Sequence, residues 1–196
     1  MRRSAIIIGI KGETLTDKEI NYIKYEKPLG VILFARNILN KYQTLKLVKS
    51  IKTLLGKDCM ILIDEEGGRV TRLSKLGGPK FATAKSFGDS AKKNFEKTKI
   101  TTYKSYKKIG RILAEIGINF NCAPVLDLFF KDSHKVIGDR AFSRDPDVVS
   151  VLSLQACKGL ISEGVTPIIK HIPGHGHSNV DSHFKLPIII KGLKLY

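Results

Sequence analysis

The sequence predicts an α/β fold built on a parallel sheet, a (β/α) barrel, and three observations predict it. Short β-branched apolar runs alternate with longer segments whose apolar residues recur at helical spacing. The short runs are almost wholly apolar, as strands covered on both faces are. Polar, chemistry-bearing residues follow the ends of four runs: Arg36 and Asn37, Asp64 and Glu66, Asn121 and Asp127, Lys170 and His171. In such folds the carboxyl ends of the strands carry the chemistry, so four polar ends imply one shared pocket. No GxGxxG and no phosphate-loop GxxxxGK motif follows the first strand, which removes the main signature of a dinucleotide or nucleotide fold.

In chain order, Ser4 to Ile8 reads as the first strand. Thr16 and Glu19 form a capping box that opens a helix carrying Ile20 and Ile23, with Pro28 closing it. Gly30 to Phe34 is a second strand, and Leu39 to Leu55 a helix with Leu45, Val48, Ile51 and Leu55 on one side. Met60 to Ile63 is a third strand that runs straight into Asp64, Glu65 and Glu66. Val70 to Ser90 reads as a long loop of the functional kind, followed by a helix from about Lys97 to Ile116 that Gly117 ends. Ile118 to Ala123 is a fourth strand; Asp145 and Pro146 cap a helix that reaches Glu163 and Gly164; Thr166 to Ile169 is a fifth strand.

Length and composition fit one domain with a sizeable core: 196 residues, 42% hydrophobic and 27% charged. The apolar run after Met1 stops at Gly9, shorter than a signal peptide needs, and no stretch reaches the ~18 apolar residues of a membrane span. Three cysteines, far apart and without a CxxC pair, read as reduced cysteines of a cytoplasmic protein. The net charge of +16 raises the question of nucleic acid, but the lysines are dispersed along helices, where a solvated face accounts for them; no nucleic acid and no membrane is expected as partner.

The densest titratable stretch follows the fifth strand. His171, His175, His177 and His183 are four of the five histidines, with Lys170 and Asp181 beside them. Two chemistries compete for it. In Asp181-Ser182-His183 a carboxylate stands two residues from an imidazole, the same side of an extended loop, and can orient the ring as a general acid and base. His171, His175 and His177 could instead hold zinc, but Pro173, Gly174 and Gly176 forbid the helix that would align the first two, and no metal is expected. Asp64 and Glu66 fit a ligand site or a structural pairing with Arg69 and Arg72. Arg140 fits an anion or carbonyl contact or a surface position, and Lys170, at the mouth of a buried strand, fits a substrate oxygen or a neighbouring carboxylate.

Five blocks then carry a resemblance: IDEEGGRVTRL (63–73), FATAKSFGD (81–89), INFNCAPVLDL (118–128), VIGDRAFSRDP (136–146) and KHIPGHG with DSH (170–183). In this order they resemble the bacterial β-N-acetylhexosaminidases of glycoside hydrolase family 3. The resemblance implies a TIM-type (β/α) barrel, no cofactor, cytoplasmic location, and a retaining cleavage of terminal N-acetylglucosamine from anhydro-muropeptides during peptidoglycan recycling. By motif, Asp64, Arg72, Arg140, Lys170 and His171 are the substrate-binding set, and Asp181 with His183 the catalytic acid/base dyad. Ile172 stands where the family commonly has Phe. The family's nucleophilic aspartate lies on a later strand, so residues 1–196 are expected to be an incomplete catalytic domain, the barrel truncated after about five strands. Without that carboxylate the chain is expected not to turn over alone, and to act with a complementing carboxyl-terminal fragment or as a sugar-binding remnant.

Overall fold

The structure is a computed structural model that describes residues 3–130 and 134–188. Five strands, β1 (Ser4–Gly9), β2 (Pro28–Leu33), β3 (Met60–Ile63), β4 (Phe120–Asn121) and β5 (Thr166–Pro167), form one sheet in the order β1-β2-β3-β4-β5. Every pairing is parallel, with Leu33 beside Ile63, Ile63 beside Asn121 and Asn121 beside Pro167. A sheet laid down in sequence order with helical connections is an arc of a (β/α) barrel.

The connections are helices. Helix α1 (Asp17–Glu26) starts at the capping box: Thr16 Oγ1 accepts the Glu19 N–H at 3.3 Å and the Glu19 carboxylate accepts the Thr16 N–H at 2.8 Å. It ends at Lys27, which is left-handed at φ 49°, so Pro28 opens β2 instead of merely closing the helix. Helix α2 (Lys41–Leu55) is capped by Asn40. The stretch read as a long loop after β3 holds helix α3 (Ala84–Ala91), capped by Thr83, before α4 (Phe95–Glu115). Helix α5 (Pro146–Ile161) has the predicted Asp145 cap and Pro146 start.

β4 and β5 are shorter than their apolar runs. Pro167 has no N–H to give to a ladder. Asn119 adds its side chain to its backbone bonds with Ile61 and Thr166, accepting the Ile61 N–H at 2.7 Å and donating to Cys59 O at 3.0 Å. The path of β5 continues past Pro167 by single bonds, Ile168 N–H to Asn121 O at 2.8 Å and Lys170 N–H to Pro124 O at 3.3 Å. That continuation delivers Lys170 and His171 to the same end of the sheet as Asp64 and Asp127.

The core joins strand residues Val31, Leu33, Ile61 and Ile63 to Leu47, Val48 and Ile51 of α2, Tyr106, Ile109 and Leu113 of α4, and Leu152, Ala156 and Leu160 of α5. Helices α4 and α5 lie close because Gly159 has no side chain; a Cβ there would sit 2.6 Å from Tyr103 O. The three cysteines are free, Cys59 buried and Cys122 and Cys157 half-buried. No helix among the described residues is long and apolar enough to cross a membrane.

Candidate active site

The floor of the site is the turn after β3. Asn121, fully buried, accepts the Glu65 N–H at 3.0 Å and donates to Glu65 O at 2.8 Å, which fastens the end of β3 to β4. The carboxylate of Glu65 points the other way and gathers the following loop, its Oε2 accepting from Thr71 Oγ1 at 2.9 Å, Arg72 N–H at 2.6 Å and Leu73 N–H at 3.0 Å. Gly67 and Gly68, at φ +82° and +58°, supply the left-handed conformations of the tight turn between them. Glu65 is therefore structural, and its two neighbours Asp64 and Glu66 are left for the site.

Burial pushes the Glu65 carboxyl above its ordinary value of 4.5, more than the Arg72 and Leu73 N–H groups pull it down. A carboxyl raised in the fold binds more protons there than in the unfolded chain, so its contribution falls as pH rises from that ordinary value through the folded one. Glu65→Gln keeps the acceptor for all three donors and removes this term. Urea midpoints measured at pH 4.5 and pH 8 should fall less in the variant than in wild type; parallel falls would contradict the assignment.

Asp64, Glu66, Arg140, Lys170, His171 and Asp127 form one continuous net of charges and imidazole. Lys170 Nζ lies 2.7 Å from Asp64 Oδ1 and 2.5 Å from Glu66 Oε1. Arg140 grips Glu66 with both prongs, Nε to Oε2 at 2.8 Å and Nη2 to Oε1 at 2.9 Å. Its Nη2 is also 3.4 Å from Nε2 of His171, whose Nδ1 lies 2.5 Å from Asp127 Oδ2. The side chains are enclosed: Glu66 is 5% exposed, Arg140 12% and Lys170 15%. Charges in so little water hold fixed positions and keep their strength.

The histidine loop packs beside this net. Asp127 Oδ1 accepts the His175 N–H at 2.5 Å, and the rings of His171 and His175 meet edge to face at 6.2 Å. His177 stacks on Phe130 with ring centroids 4.2 Å apart. An apolar cleft of about 530 Å³ between this loop and α5 has Asp127 on its wall. Among the described residues no three His, Cys, Asp or Glu side chains are grouped so as to hold a metal ion.

The dyad forms, though by a turn and not by the extended geometry that the i, i+2 spacing suggests. Asp181 Oδ1 accepts the His183 N–H at 2.9 Å and faces its Nδ1 at 2.6 Å. The His183 N–H and ring hold the Asp181 carboxyl below the usual range. His183 is 74% exposed, and among the described residues no hydrogen bond or ion pair joins Asp181 or His183 to the net. Arg72 also stands outside the net: it donates to Thr71 O at 3.2 Å, and its buried Nε has no hydrogen-bond partner among the described residues. The pairing of Asp64 and Glu66 with Arg69 and Arg72 is not what forms. Arg69 binds Asp139 at 2.7 Å and the carbonyls of Lys135, Val136 and Ile137, bracing the loop that carries Arg140. Glu66 and Asp127 carry the net yet were visible in the sequence only as carboxylates at strand ends.

Comparison with known proteins shows the family. A β-hexosaminidase of Bordetella avium (strain 197N) is 34% identical over 187 residues, 93% of this chain and 52% of its own. A β-hexosaminidase of Actinobacillus pleuropneumoniae serotype 5b (strain L20) is 35% identical over 182 residues, 93% of this chain and 52% of its own. Among solved structures, native NagZ from Neisseria gonorrhoeae superposes with a TM-score of 0.89 at 33% identity, covering 94% of this chain and 54% of that one. The same organism's NagZ in complex with N-trifluoroacetyl-D-glucosamine gives 0.91 at 32% identity, covering 98% of this chain and 56% of that one. The chain spans about half the length of these relatives. The profile described as "Glycosyl hydrolase family 3 N terminal domain" matches residues 8–194, and the chain belongs to that family.

Proposed function

We propose that the chain carries the sugar-binding half of a β-N-acetylhexosaminidase that releases terminal N-acetylglucosamine from muropeptides in the cytoplasm, in peptidoglycan recycling. The observation that carries this reading is the net of Asp64, Glu66, Arg140, Lys170 and His171. Sugar hydroxyls donate and accept at once, so they fit a site in which acceptor carboxylates alternate with donor cations at short range. A phosphate backbone calls for an unbroken cationic surface, and the site is not one. The relatives' names and the bound glucosamine derivative of the Neisseria gonorrhoeae NagZ support the choice of sugar.

Cleavage follows the retaining route. His183, oriented by Asp181, protonates the leaving oxygen and then takes a proton from water. A carboxylate on the other face forms the glycosyl-enzyme and is displaced by that water. Asp64, Glu66 and Asp127 are each committed to a cation or an imidazole. The nucleophile is therefore supplied from outside these residues, by the remaining barrel strands in cis or as a complementing carboxyl-terminal fragment. Arg72 joins the sugar-binding set by motif, and its guanidinium donates to Thr71 O beside that net.

An aryl N-acetylglucosaminide assay tests this. The 196-residue chain is expected to show no turnover alone and to gain it when a relative's carboxyl-terminal half is supplied. His183→Ala should then lower kcat by about 10²–10⁴, the range of one general acid/base. Turnover by the chain alone that disappears with His183→Ala would place the nucleophile within it and contradict the scheme.

A further inference from the structure

Asp127 has no task in the reading above. Its side chain is fully enclosed at the exit of β4, and it gives one carboxylate oxygen to each of two donors. Oδ2 lies 2.5 Å from His171 Nδ1, and Oδ1 accepts the His175 backbone N–H at 2.5 Å. Burial alone would raise this carboxyl, but the hydrogen bonds from His171 and His175 outweigh it and hold the group below its ordinary range. It is ionised at neutral pH and accepts only, so the Nδ1 that faces it carries a proton. On the other side of the ring, Arg140 Nη2 sits 3.4 Å from Nε2, and a guanidinium donates only. The two neighbours have opposite hydrogen-bonding sense, and the neutral tautomer protonated at Nδ1 satisfies both.

We propose that Asp127 is a positioning residue that fixes His171 as its Nδ1–H tautomer, so that the one lone pair of Nε2, which Arg140 Nη2 faces at 3.4 Å, is an acceptor that a donating hydroxyl of the hexosamine takes over on binding, while the same carboxylate ties the 171–175 loop to the end of β4. The identity of the ligand rests on the sugar-site reading; the tautomer assignment does not. Asp127 acts through His171, and its substitution changes what the site accepts and donates. The sequence singles the residue out only as a polar group after the fourth strand.

Histidine side-chain ¹⁵N spectra of the whole chain, joined to calorimetry with N-acetylglucosamine, test this. Wild type should show His171 protonated at Nδ1. Asp127→Asn offers one acceptor oxygen to two donors and an NH₂ group in place of the other oxygen. His171 is then driven toward the Nε2–H tautomer, and affinity for N-acetylglucosamine falls about tenfold, the scale of one hydrogen bond. His175→Ala leaves both Asp127 bonds in place, because residue 175 contributes its backbone N–H, and should keep the wild-type tautomer. Should Asp127→Asn not fold, Asp127→Glu, with both acceptors and the charge retained, should preserve the Nδ1–H form.

The proposal is overturned by a wild-type ring protonated at Nε2, by an Asp127→Asn tautomer like wild type, by Asp127→Glu adopting the Nε2–H form, or by His175→Ala shifting the ring as far as Asp127→Asn. A tautomer that shifts with no change in affinity overturns the role in reading the hydroxyl. If the tautomers behave as expected and wild type binds no N-acetylglucosamine, the sugar-site reading fails while the positioning role of Asp127 stands.

Discussion

Glu66→Gln is expected to destabilise the chain by about 3 kcal/mol, the lower end of what breaking a buried ion pair costs. One carboxylate holds both prongs of Arg140 and the ammonium of Lys170, at 2.8, 2.9 and 2.5 Å. An amide in its place keeps the volume but removes the carboxylate that Lys170 and Arg140 both bind, leaving Lys170 with Asp64 and Arg140 with no salt-bridge partner among the described residues. In a chain of this size the loss corresponds to roughly 8 °C in Tm. Lys41→Ala is the comparison, since the Lys41–Glu115 pair at 2.7 Å is about half exposed on both sides. Exposed pairs contribute about 0–1 kcal/mol. Urea unfolding of the two variants should differ in midpoint by most of the Glu66 effect; equal midpoints would mean that the net is solvated and weak.

Lys170→Met is expected to weaken N-acetylglucosamine binding by roughly 30- to 140-fold, the equivalent of about 2–3 kcal/mol for hydrogen bonds made with a charged donor. Met keeps an unbranched apolar stem of similar reach. What disappears is the cation between Asp64 and Glu66, so Asp64 loses the partner that holds its Oδ1 in place. Both the direct contact to a sugar oxygen and the orientation of a second acceptor go together. Calorimetry on the folded variant, checked by circular dichroism, reads this; an affinity equal to wild type would remove Lys170 from the site.

Much of the fold was legible because local signals and packing agree. Met60–Ile63 is bounded as the sequence predicts, since four apolar residues run directly into three acidic ones. The Thr16–Glu19 box and the Asp145–Pro146 start mark helices because capping is a local hydrogen-bond problem. Helix α3 was missed for a tertiary reason. Its sequence AKSFGDSA is small, polar and interrupted by Gly88, and that glycine is there because a Cβ would collide with Phe142 O. Thr83, which accepts the Ser86 N–H at 3.1 Å, was the available signal.

The site divides the same way. That Asp64, Lys170 and His171 converge follows from parallel strands ending at one rim, and pattern alone reveals that. Which arginine answers Glu66 does not follow. Arg69 and Arg72 are near in sequence, yet Arg140, 74 positions away, makes the fork. Pairing at that range depends on how the 134–143 loop folds back, held by Arg69 on the carbonyls of Lys135 to Ile137. The dyad was legible as a pair because its partners are two residues apart; the exposure of His183 depends on packing that linear spacing does not encode.

Titrating the wild-type chain with N-acetylglucosamine by calorimetry tests most directly whether the rim formed by β3, β4 and β5 is a sugar site. The account predicts saturable binding that Lys170→Met weakens by roughly 30- to 140-fold and that His183→Ala, on its exposed loop, leaves with the same midpoint. Heats that never saturate, or binding indifferent to Lys170, would contradict it.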